Sequence, residues 1–476
     1  MAKLIYICGW ALLTVILYVP AVQAQGTDSD KNDKREQPVA PYAPPLPAGK
    51  TSVLAMNLPQ GSTEEAQVAG NNRPLSGVQE PTLGPAAGFG KFLVPSVSVM
   101  SQMSTSSSAS GFGQLGGSSY LLGTLDLNRV SERSELLLRY TGGAMVSSYM
   151  NSAIQDVDFS YNFKWQRWSL LVGDQASYLS ESSFGFGGVG GLGFLSGNPQ
   201  FLNGYLTPNQ TIPTIMVPRL SNTVVSQIEY TVSPRSSWTA SGSYGLLNFL
   251  GAGFVNSTDT GFKTGYNYAL SPQSSTAVIY RFDDFRYTYL PLGIENHVLQ
   301  LGYARYVTGR LSFQIAGGPS LVMLRAVPTG SGNSLSWAVD SALNYQLERT
   351  TLLLSYDRYV TGGSGVLFGA QTGQVEATIQ RKLSPKWEAS VSMGYATNRS
   401  LIQLAPNLNT QNYNSWYAAV RFSRQLRPGT ALFLTYGARL EAVKAATCGR
   451  PNCATNFISH EISAGFNFGL RPILFR

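Results

Sequence analysis

Apolar and polar residues alternate along most of this chain, in short runs that come in pairs. In one run Val375, Ala377 and Ile379 alternate with polar residues, and after a polar turn at residues 384–387 the alternation resumes from Ala389. Side chains of a β-strand point alternately to opposite faces, so each run predicts a strand with one apolar and one polar face. Two such strands joined by a short turn predict a β-hairpin.

The central turns of these hairpins recur every ~35 to 43 residues, apart from one wider gap. Each period holds two strands of ~10 residues, the length that crosses a bilayer, whereas a propeller blade needs about four shorter strands. With a first strand at Phe92–Met103 and a last at Phe457–Phe468, we expect about 18 antiparallel strands, within a range of about 16–18. The turns are Arg129–Ser134, Lys164–Arg167, Ser233–Ser236, Ser271–Ser274, Val307–Arg310, Leu347–Thr350, Ser384–Trp387 and Arg427–Thr430.

The composition separates a membrane barrel from a soluble sheet, which would show the same alternation. Charged residues make up 13% of the chain, about half of the roughly 25% found in soluble domains. The mean hydropathy is only −0.03, because each lipid-facing residue of a barrel alternates with a polar residue facing the interior. We therefore predict an all-β fold, a transmembrane antiparallel β-barrel over residues 91–476.

The N-terminal 90 residues differ from the rest. Residues 1–24 have Lys3, a long apolar stretch and a small residue, Ala24, before Gln25, which predicts a cleaved secretory signal peptide; an uncleaved anchor helix is the alternative. Residues 25–90 are Pro-rich and lack periodicity, which predicts a disordered leader acting as a spacer or binding a partner. An even strand number places both termini on one side, with the short turns and the leader in the periplasm.

Residues 91–476 resemble the bacterial outer-membrane β-barrel superfamily, porins included, and are similar to Gly-rich predicted outer-membrane barrels of Gram-negative bacteria. The resemblance implies an outer-membrane location and two partners, membrane lipid and the barrel-assembly machinery. The last strand carries Ile462, Ala464, Phe466 and Phe468 on one face, similar to the aromatic-ended assembly signal of that superfamily. The family pattern stops at the terminal aromatic residue, whereas this chain continues to Arg476.

The polar face of the strands supplies candidate interior residues. Charges of both signs in the wall of a pore create a transverse field suited to small hydrophilic solutes; alternatively, these side chains pair with one another and stabilise the wall. The candidates are Arg139, Asp158, Lys164, Glu229, Arg281, Asp283, Asp340, Asp357, Glu376, Arg421, Arg439 and Glu441.

The wider gap between turns is filled by residues 180–222, which contain a Gly-rich run. This segment should join the fifth and sixth strands, and resemblance to general porins implies a loop that folds into the barrel and narrows the pore. An external loop and an extra hairpin are the alternatives. No strand, lysine and helix follow the glycines in the order that a nucleotide-binding loop requires. The candidate pore-loop residues are Phe184, Phe186, Gly187, Gly190 and Phe194.

Other functional classes have little support in the sequence. After cleavage Cys448 and Cys453 remain, and an oxidising compartment favours a small disulfide loop over a free or metal-bound pair. The two histidines, His297 and His460, share the lipid-facing parity of their strands, so we expect no enzyme, metal or cofactor. The net charge is +8, but several of the basic residues fall in the turns and the Pro-rich segment rather than on one basic face, which argues against nucleic-acid binding.

The sequence therefore favours a porin-like channel for passive diffusion of small hydrophilic solutes. The alternative is a non-conducting barrel that serves in surface interaction or as the outer-membrane component of an envelope export system for exopolysaccharide or lipid. Monomer and trimer are both compatible with the pattern.

Overall fold

The computed structural model describes residues 91–105, 115–179 (without 132 and 149), 212, 217–325 (without 252, 272, 289, 290 and 309), 332–402, 412–444 (without 428), 456–470 and 473–474. All of them belong to one compact unit, Leu46–Arg476. The predicted signal peptide and leader lie outside the described residues. Within these ranges no helix is long and apolar enough to cross a membrane.

The described residues form one antiparallel sheet in which each long strand pairs with its neighbour along the chain. The first long strand also pairs with the last, so the sheet closes into a barrel, as predicted. The strands are β1 Lys91–Ser104, β2 Gly116–Val130, β3 Ser134–Ser147, β4 Asn151–Lys164, β5 Trp168–Leu179, β6 Arg219–Ser233, β7 Ser236–Phe249, β8 Ser257–Ser271, β9 Ser274–Tyr287, β10 Gly293–Tyr306, β11 Leu311–Arg325, β12 Ser334–Gln346, β13 Thr350–Thr361, β14 Ala370–Lys382, β15 Trp387–Ser400, β16 Asn412–Arg427, β17 Thr430–Lys444, β18 Asn456–Gly469 and the short β19 Ile473–Leu474.

Every predicted turn is confirmed, and all of them lie at one end of the barrel, which we call the short-turn end. Several are closed by a pair of serines three residues apart: the hydroxyl oxygens of Ser233 and Ser236 are 2.8 Å apart, and those of Ser271 and Ser274 are 2.7 Å apart. Small hydroxyl side chains favour turns because they bond locally to the chain. The connections at the other end, the long-loop end, are mostly longer.

The wall between β5 and β6 contains no inserted hairpin. The two strands pair directly from Trp168 with Tyr230 to Leu179 with Arg219. β5 and β6 are therefore direct neighbours in the wall, whereas the connection between them lies outside the described residues apart from residues 212, 217 and 218.

The barrel closes along a seam between β1 and β18. This pairing runs from Ser96 with Gly469 to Ser104 with Glu461. Beyond the terminal aromatic residue, the backbone N–H of Leu470 donates to the carbonyl oxygen of Pro95 at 2.8 Å. The short β19 then pairs with the beginning of β1. The C-terminal extension therefore lengthens the seam.

Burial along the strands is reversed relative to a soluble protein. Large apolar side chains on one face are exposed, for example Leu301 at 68% and Leu434 at 52%. Polar side chains on the other face are buried, for example Asp158 at 3%. Exposed tryptophans lie near strand ends, among them Trp168 at the short-turn end and Trp416 toward the long-loop end. Such aromatic belts are typical of the two membrane interfaces.

Candidate functional site

The buried polar face lines the interior of the barrel. The side-chain amide of Gln300 on β10 donates a 2.7 Å hydrogen bond to Asp340 on β12, although β11 lies between these strands. Side chains from strands that are not neighbours approach one another on the concave side of a curved sheet. A separate chain of hydrogen bonds on the same face runs from Ser320 to Asn296 at 2.7 Å and from Asn296 to Asp283 at 3.1 Å.

The opposite face of the same strands carries the exposed apolar side chains. An apolar exterior, a polar interior and a closed sheet without free edges are together the requirements for spanning a bilayer with strands. The chain therefore forms a closed antiparallel β-barrel with an apolar exterior and a polar interior. The predicted outward positions in β17, Leu432 and Leu434, and in β12, Trp337, are confirmed as exposed.

Several solved structures of bacterial proteins are similar to this barrel. OpdQ of Pseudomonas aeruginosa gives a TM-score of 0.41 and 10% sequence identity, covering 80% of this chain and 99% of that chain. OccAB4 of Acinetobacter baumannii gives 0.43 and 9%, covering 82% and 100%. OccK2 (OpdF) of Pseudomonas aeruginosa in complex with glucuronate gives 0.42 and 9%, covering 80% and 98%. No protein-family model and no curated protein matches the chain.

One charged cluster of the interior lies on β2 to β5. Arg139 donates a 2.6 Å hydrogen bond to Asp126 on the neighbouring strand. Cross-strand pairing places Arg139 opposite Asp158, and Asp158 opposite Gln175. Asp156 lies on the same face two residues before Asp158 and interacts electrostatically with Arg139. Carboxylates outnumber the guanidinium group here, so this part of the wall is acidic.

A second charged cluster lies on β8, β9 and β12 and has a more even balance of signs. Arg281 donates a 2.8 Å hydrogen bond to Asp283, and Lys263 is directly opposite Arg281 across the strands. Asp340 interacts electrostatically with both of these cations. In this cluster each carboxylate has a cation or an amide donor beside it.

The structure places the predicted interior charges as follows. Arg139, Asp158, Glu229, Arg281, Asp283, Asp340, Asp357, Glu376, Arg421, Arg439 and Glu441 lie on the inward face, and Lys164 is exposed at the short-turn end of β4. Several have partners that the sequence analysis did not anticipate: Arg421 lies 4.3 Å from the ring centre of Phe433, Gln374 donates to Glu376, and Arg439 lies 3.9 Å from Glu461.

Three charged members of these clusters were not among the residues predicted from the sequence: Asp126, Asp156 and Lys263. The signal that could have found them is the same alternation. Asp126 is flanked by Leu125 and Leu127, and Lys263 follows Phe262 on a strand whose other face also carries Tyr266, Tyr268 and Leu270.

The main structural feature that the sequence analysis missed is a loop at residues 362–369, between β13 and β14, which we call the inward loop. Most of its residues are buried. The hydroxyl group of Tyr287 on β9 donates a 3.1 Å hydrogen bond to the carbonyl oxygen of Gly362. The backbone N–H of Val255, in the connection between β7 and β8, donates to the carbonyl oxygen of Gly365 at 2.8 Å. The loop therefore extends across the interior to strands that are not its neighbours in the wall.

Glycine makes this path of the loop possible. Gly363 and Gly365 have φ angles of 100° and 70°, in the left-handed region that other residues disfavour. A Cβ atom on Gly365 would also lie 2.1 Å from the ring of Phe249. The loop folds against itself as well, because the backbone N–H groups of Val366 and Leu367 both donate to the carbonyl oxygen of Gly363, at 3.0 and 2.8 Å.

Apolar side chains hold the inward loop in place. The ring of Phe368 packs edge-on against Tyr287 with centroids 5.3 Å apart, beside a buried cluster that includes Phe285 and Ile294. Leu367 packs with Ile212 and Tyr413. Ile212 belongs to the connection between β5 and β6, so this connection also contacts the inward loop and β16.

Both histidines lie on the outward face, where each is hydrogen-bonded to a tyrosine hydroxyl: His297 to Tyr280 at 2.8 Å and His460 to Tyr436 at 3.0 Å. The described residues contain no group of three or more acidic, histidine or cysteine side chains arranged to bind a metal ion. The predicted disulfide cysteines, Cys448 and Cys453, lie outside the described residues, and so do Phe184, Phe186, Gly187, Gly190 and Phe194 of the predicted pore loop.

Proposed function

We propose that this barrel is a porin-like channel of a Gram-negative outer membrane that allows small hydrophilic solutes to diffuse passively. The observation that carries the proposal is the inward face, on which polar and charged side chains of both signs occur on strands all around the wall. A wall of this kind favours water and small polar solutes over lipid. Passive diffusion requires no catalytic group, which agrees with the outward position of both histidines.

The orientation is part of the proposal. Barrels of bacterial outer membranes have short periplasmic turns and longer outer loops. We therefore place the short-turn end and the predicted leader in the periplasm, and the long-loop end outside. The aromatic face of β18, with Ile462, Phe466 and Phe468 exposed toward lipid, supports recognition of this strand by the barrel-assembly machinery.

The inward loop would narrow the channel near its outer mouth. Its contacts reach β7 to β10 from the β13–β14 connection, so it covers part of the cross-section. The contact of Ile212 with Leu367 supports a second contribution from the β5–β6 connection, the segment in which the sequence predicts a pore loop. The two connections together would select solutes by size.

The alternative proposal is a non-conducting barrel for surface interaction or envelope export, and the inward loop is also the feature that supports it. A loop packed by apolar side chains against the far wall could close the mouth entirely rather than narrow it. Conduction is the property that separates the two proposals.

Single-channel recording in planar bilayers tests the proposed function. We expect the purified protein to give steady ohmic openings, and a variant in which a Gly-Ser linker replaces residues 363–368 to give larger ones. Gly317→Ala on β11 is the matched control, because a Cβ there meets its neighbours at an ordinary 3.6 Å. Silence of both the natural protein and the linker variant would contradict the channel and favour the interaction role.

A further inference from the structure

We propose that the acidic cluster on β2 to β5 is a binding site for organic cations that carry ammonium or guanidinium groups. The proposal rests on the proposed channel function, since it names a class of solute that the channel would bind. We call this site the cation subsite and define it by Asp156, Asp158 and Gln175, with Asp126 and Arg139 beside them.

The geometry of the cation subsite follows from strand register. Arg139 pairs with Asp126 on one side and with Asp158 on the other, and Asp158 pairs with Gln175. These residues therefore form a row across four neighbouring strands on the inward face. Side chains directly opposite each other in an antiparallel sheet have Cβ atoms ~5 Å apart, close enough to act on one ligand. Asp156 lies above this row by two residues of β4, about 6.6 Å.

The hydrogen-bonding capacity of this row is incompletely used. Asp156 and Asp158 are 6% and 3% exposed, and the Oδ1 atom of each is buried without a hydrogen-bond partner in the described part of the chain. Gln175 is 2% exposed and its side chain interacts with Asp156, while its Oε1 atom is buried without a hydrogen-bond partner in the described part of the chain. Asn162, further along the inward face of β4, also has a buried Oδ1 atom without a partner. Buried polar atoms of this kind usually have a partner, and nearly all of these atoms are acceptors.

The charge of the cation subsite also favours a ligand that is positively charged and donates hydrogen bonds. Among the described residues, Asp126, Asp156 and Asp158 lie beside one cation, Arg139, whose Nε atom donates a hydrogen bond to Asp126. The second charged cluster is different, because Asp340 there accepts a hydrogen bond from Gln300 and lies beside Lys263 and Arg281. In the described residues this part of the wall therefore has more negative charge and acceptors than positive charge and N–H donors. A complementary ligand carries positive charge and N–H groups.

The spacing of the acceptors favours an organic cation over a metal ion. Oxygen ligands of Mg²⁺ and Ca²⁺ converge on one point at about 2.0–2.6 Å, whereas these acceptors are distributed along β4 and across to β5. An ammonium or guanidinium group has several N–H donors pointing in different directions and can bond to acceptors that are spread apart. A small diamine could contact both carboxylates at once.

Binding of putrescine tests the proposal by a readout that does not require conduction. We expect the full-length protein in detergent to bind putrescine in isothermal titration. Asp158→Asn and Asp156→Asn should each weaken binding by about tenfold or more, because each removes a charge-assisted hydrogen bond. Gln175→Met, which changes no charge, should weaken it by a smaller factor. Asp340→Asn is the matched control and should leave the affinity within about twofold, since it removes the same charge from the other cluster.

The outcomes separate this proposal from the channel proposal. If the protein is silent in bilayers but binds putrescine with the expected dependence on Asp156 and Asp158, the channel is contradicted and the cation subsite stands. If it conducts but does not bind putrescine, or if Asp340→Asn weakens binding as much as Asp158→Asn, the cation subsite is overturned. Binding of Mg²⁺ that competes with putrescine and depends on the same carboxylates would also overturn it in favour of a metal site. Heat-modifiable electrophoretic mobility checks that each variant forms the barrel, and Gln175→Met remains as a test if an Asp variant does not.

Discussion

The hydroxyl group of Tyr287 on β9 donates a 3.1 Å hydrogen bond to the carbonyl oxygen of Gly362, 75 residues further along the chain. Gly362 begins the inward loop, and Tyr287 lies on the far side of the intervening strands β10 to β13. This bond therefore joins the loop to a part of the wall that it does not contact through strand pairing. The loop is held across the interior by side chains and by the backbone hydrogen bond from Val255 to Gly365, rather than by strand pairing.

Tyr287→Phe should loosen the inward loop without disturbing the wall. Losing a buried hydrogen bond of this kind costs about 1 kcal/mol, while the ring still packs against Phe368. We expect noisier single-channel currents and an unchanged unfolding temperature of the barrel. Tyr359→Phe is the control, because its hydroxyl group bonds to Gln374 on the adjacent strand. Quiet currents in Tyr287→Phe would show that the bond does not hold the loop.

Gly365→Ala should displace the inward loop more strongly. The new Cβ would approach the ring of Phe249 to 2.1 Å at a φ of 70°, and steric overlap with a left-handed backbone costs about 1–3 kcal/mol. We expect a larger conductance and faster proteolysis within the loop. Gly317→Ala, where a Cβ makes ordinary contacts, should behave like the natural protein. A conductance equal in all three proteins would contradict the position of the loop in the pore.

Leu299→Arg should destabilise the folded barrel in lipid. Leu299 is 51% exposed on the outward face of β10, and an arginine facing the middle of the bilayer costs about 2–4 kcal/mol. The free energy of unfolding in urea, measured in vesicles, checks this. Leu299→Ala shortens the same side chain without adding charge and should have a much smaller effect. Equal stability of the Arg and Ala variants would mean that lipid does not contact this face.

Removal of residues 470–476 should weaken the seam without preventing closure. The deletion eliminates the pairing of Phe92 and Leu93 with β19 and the bond from Leu470 to Pro95. The β1–β18 ladder remains, so we expect a folded barrel that is about 1–2 kcal/mol less stable. Thermal unfolding followed by electrophoretic mobility measures the change. Deleting residues 475–476 alone should have no effect, and an equal loss in both deletions would contradict a role for β19.

The strands could be predicted from sequence because their pattern is local. Alternation along β17 assigns Leu434 outward and Thr435 inward without any knowledge of the neighbouring strands. Turns such as Ser271–Ser274 carry their own hydrogen-bonding groups. The assignment of Asp158 to the inward face needed nothing more than the apolar residues on either side of it.

The inward loop could not be predicted in this way. Its glycines indicate an unusual backbone, and Val366, Leu367 and Phe368 are too apolar for an ordinary outer loop. Where such a loop packs, however, depends on Tyr287 and other distant residues, and alternation says nothing about contacts across the barrel. The residues opposite Asp158, which are Arg139 and Gln175, could not be predicted either, because they depend on the register between neighbouring strands.

The central claim is that one face of the strands contacts lipid while the other lines the barrel interior. Quenching of fluorophores by brominated lipid tests this claim most directly. With Cys8, Cys448 and Cys453 replaced by serine, a single labelled cysteine would be placed at Leu434, at Phe159 or at Thr435. The structure predicts strong quenching by brominated acyl chains at the first two positions, and weak quenching at Thr435, which points into the barrel. Equal quenching at Leu434 and its neighbour Thr435, or protection of Leu434 and Phe159 from lipid, would contradict the barrel.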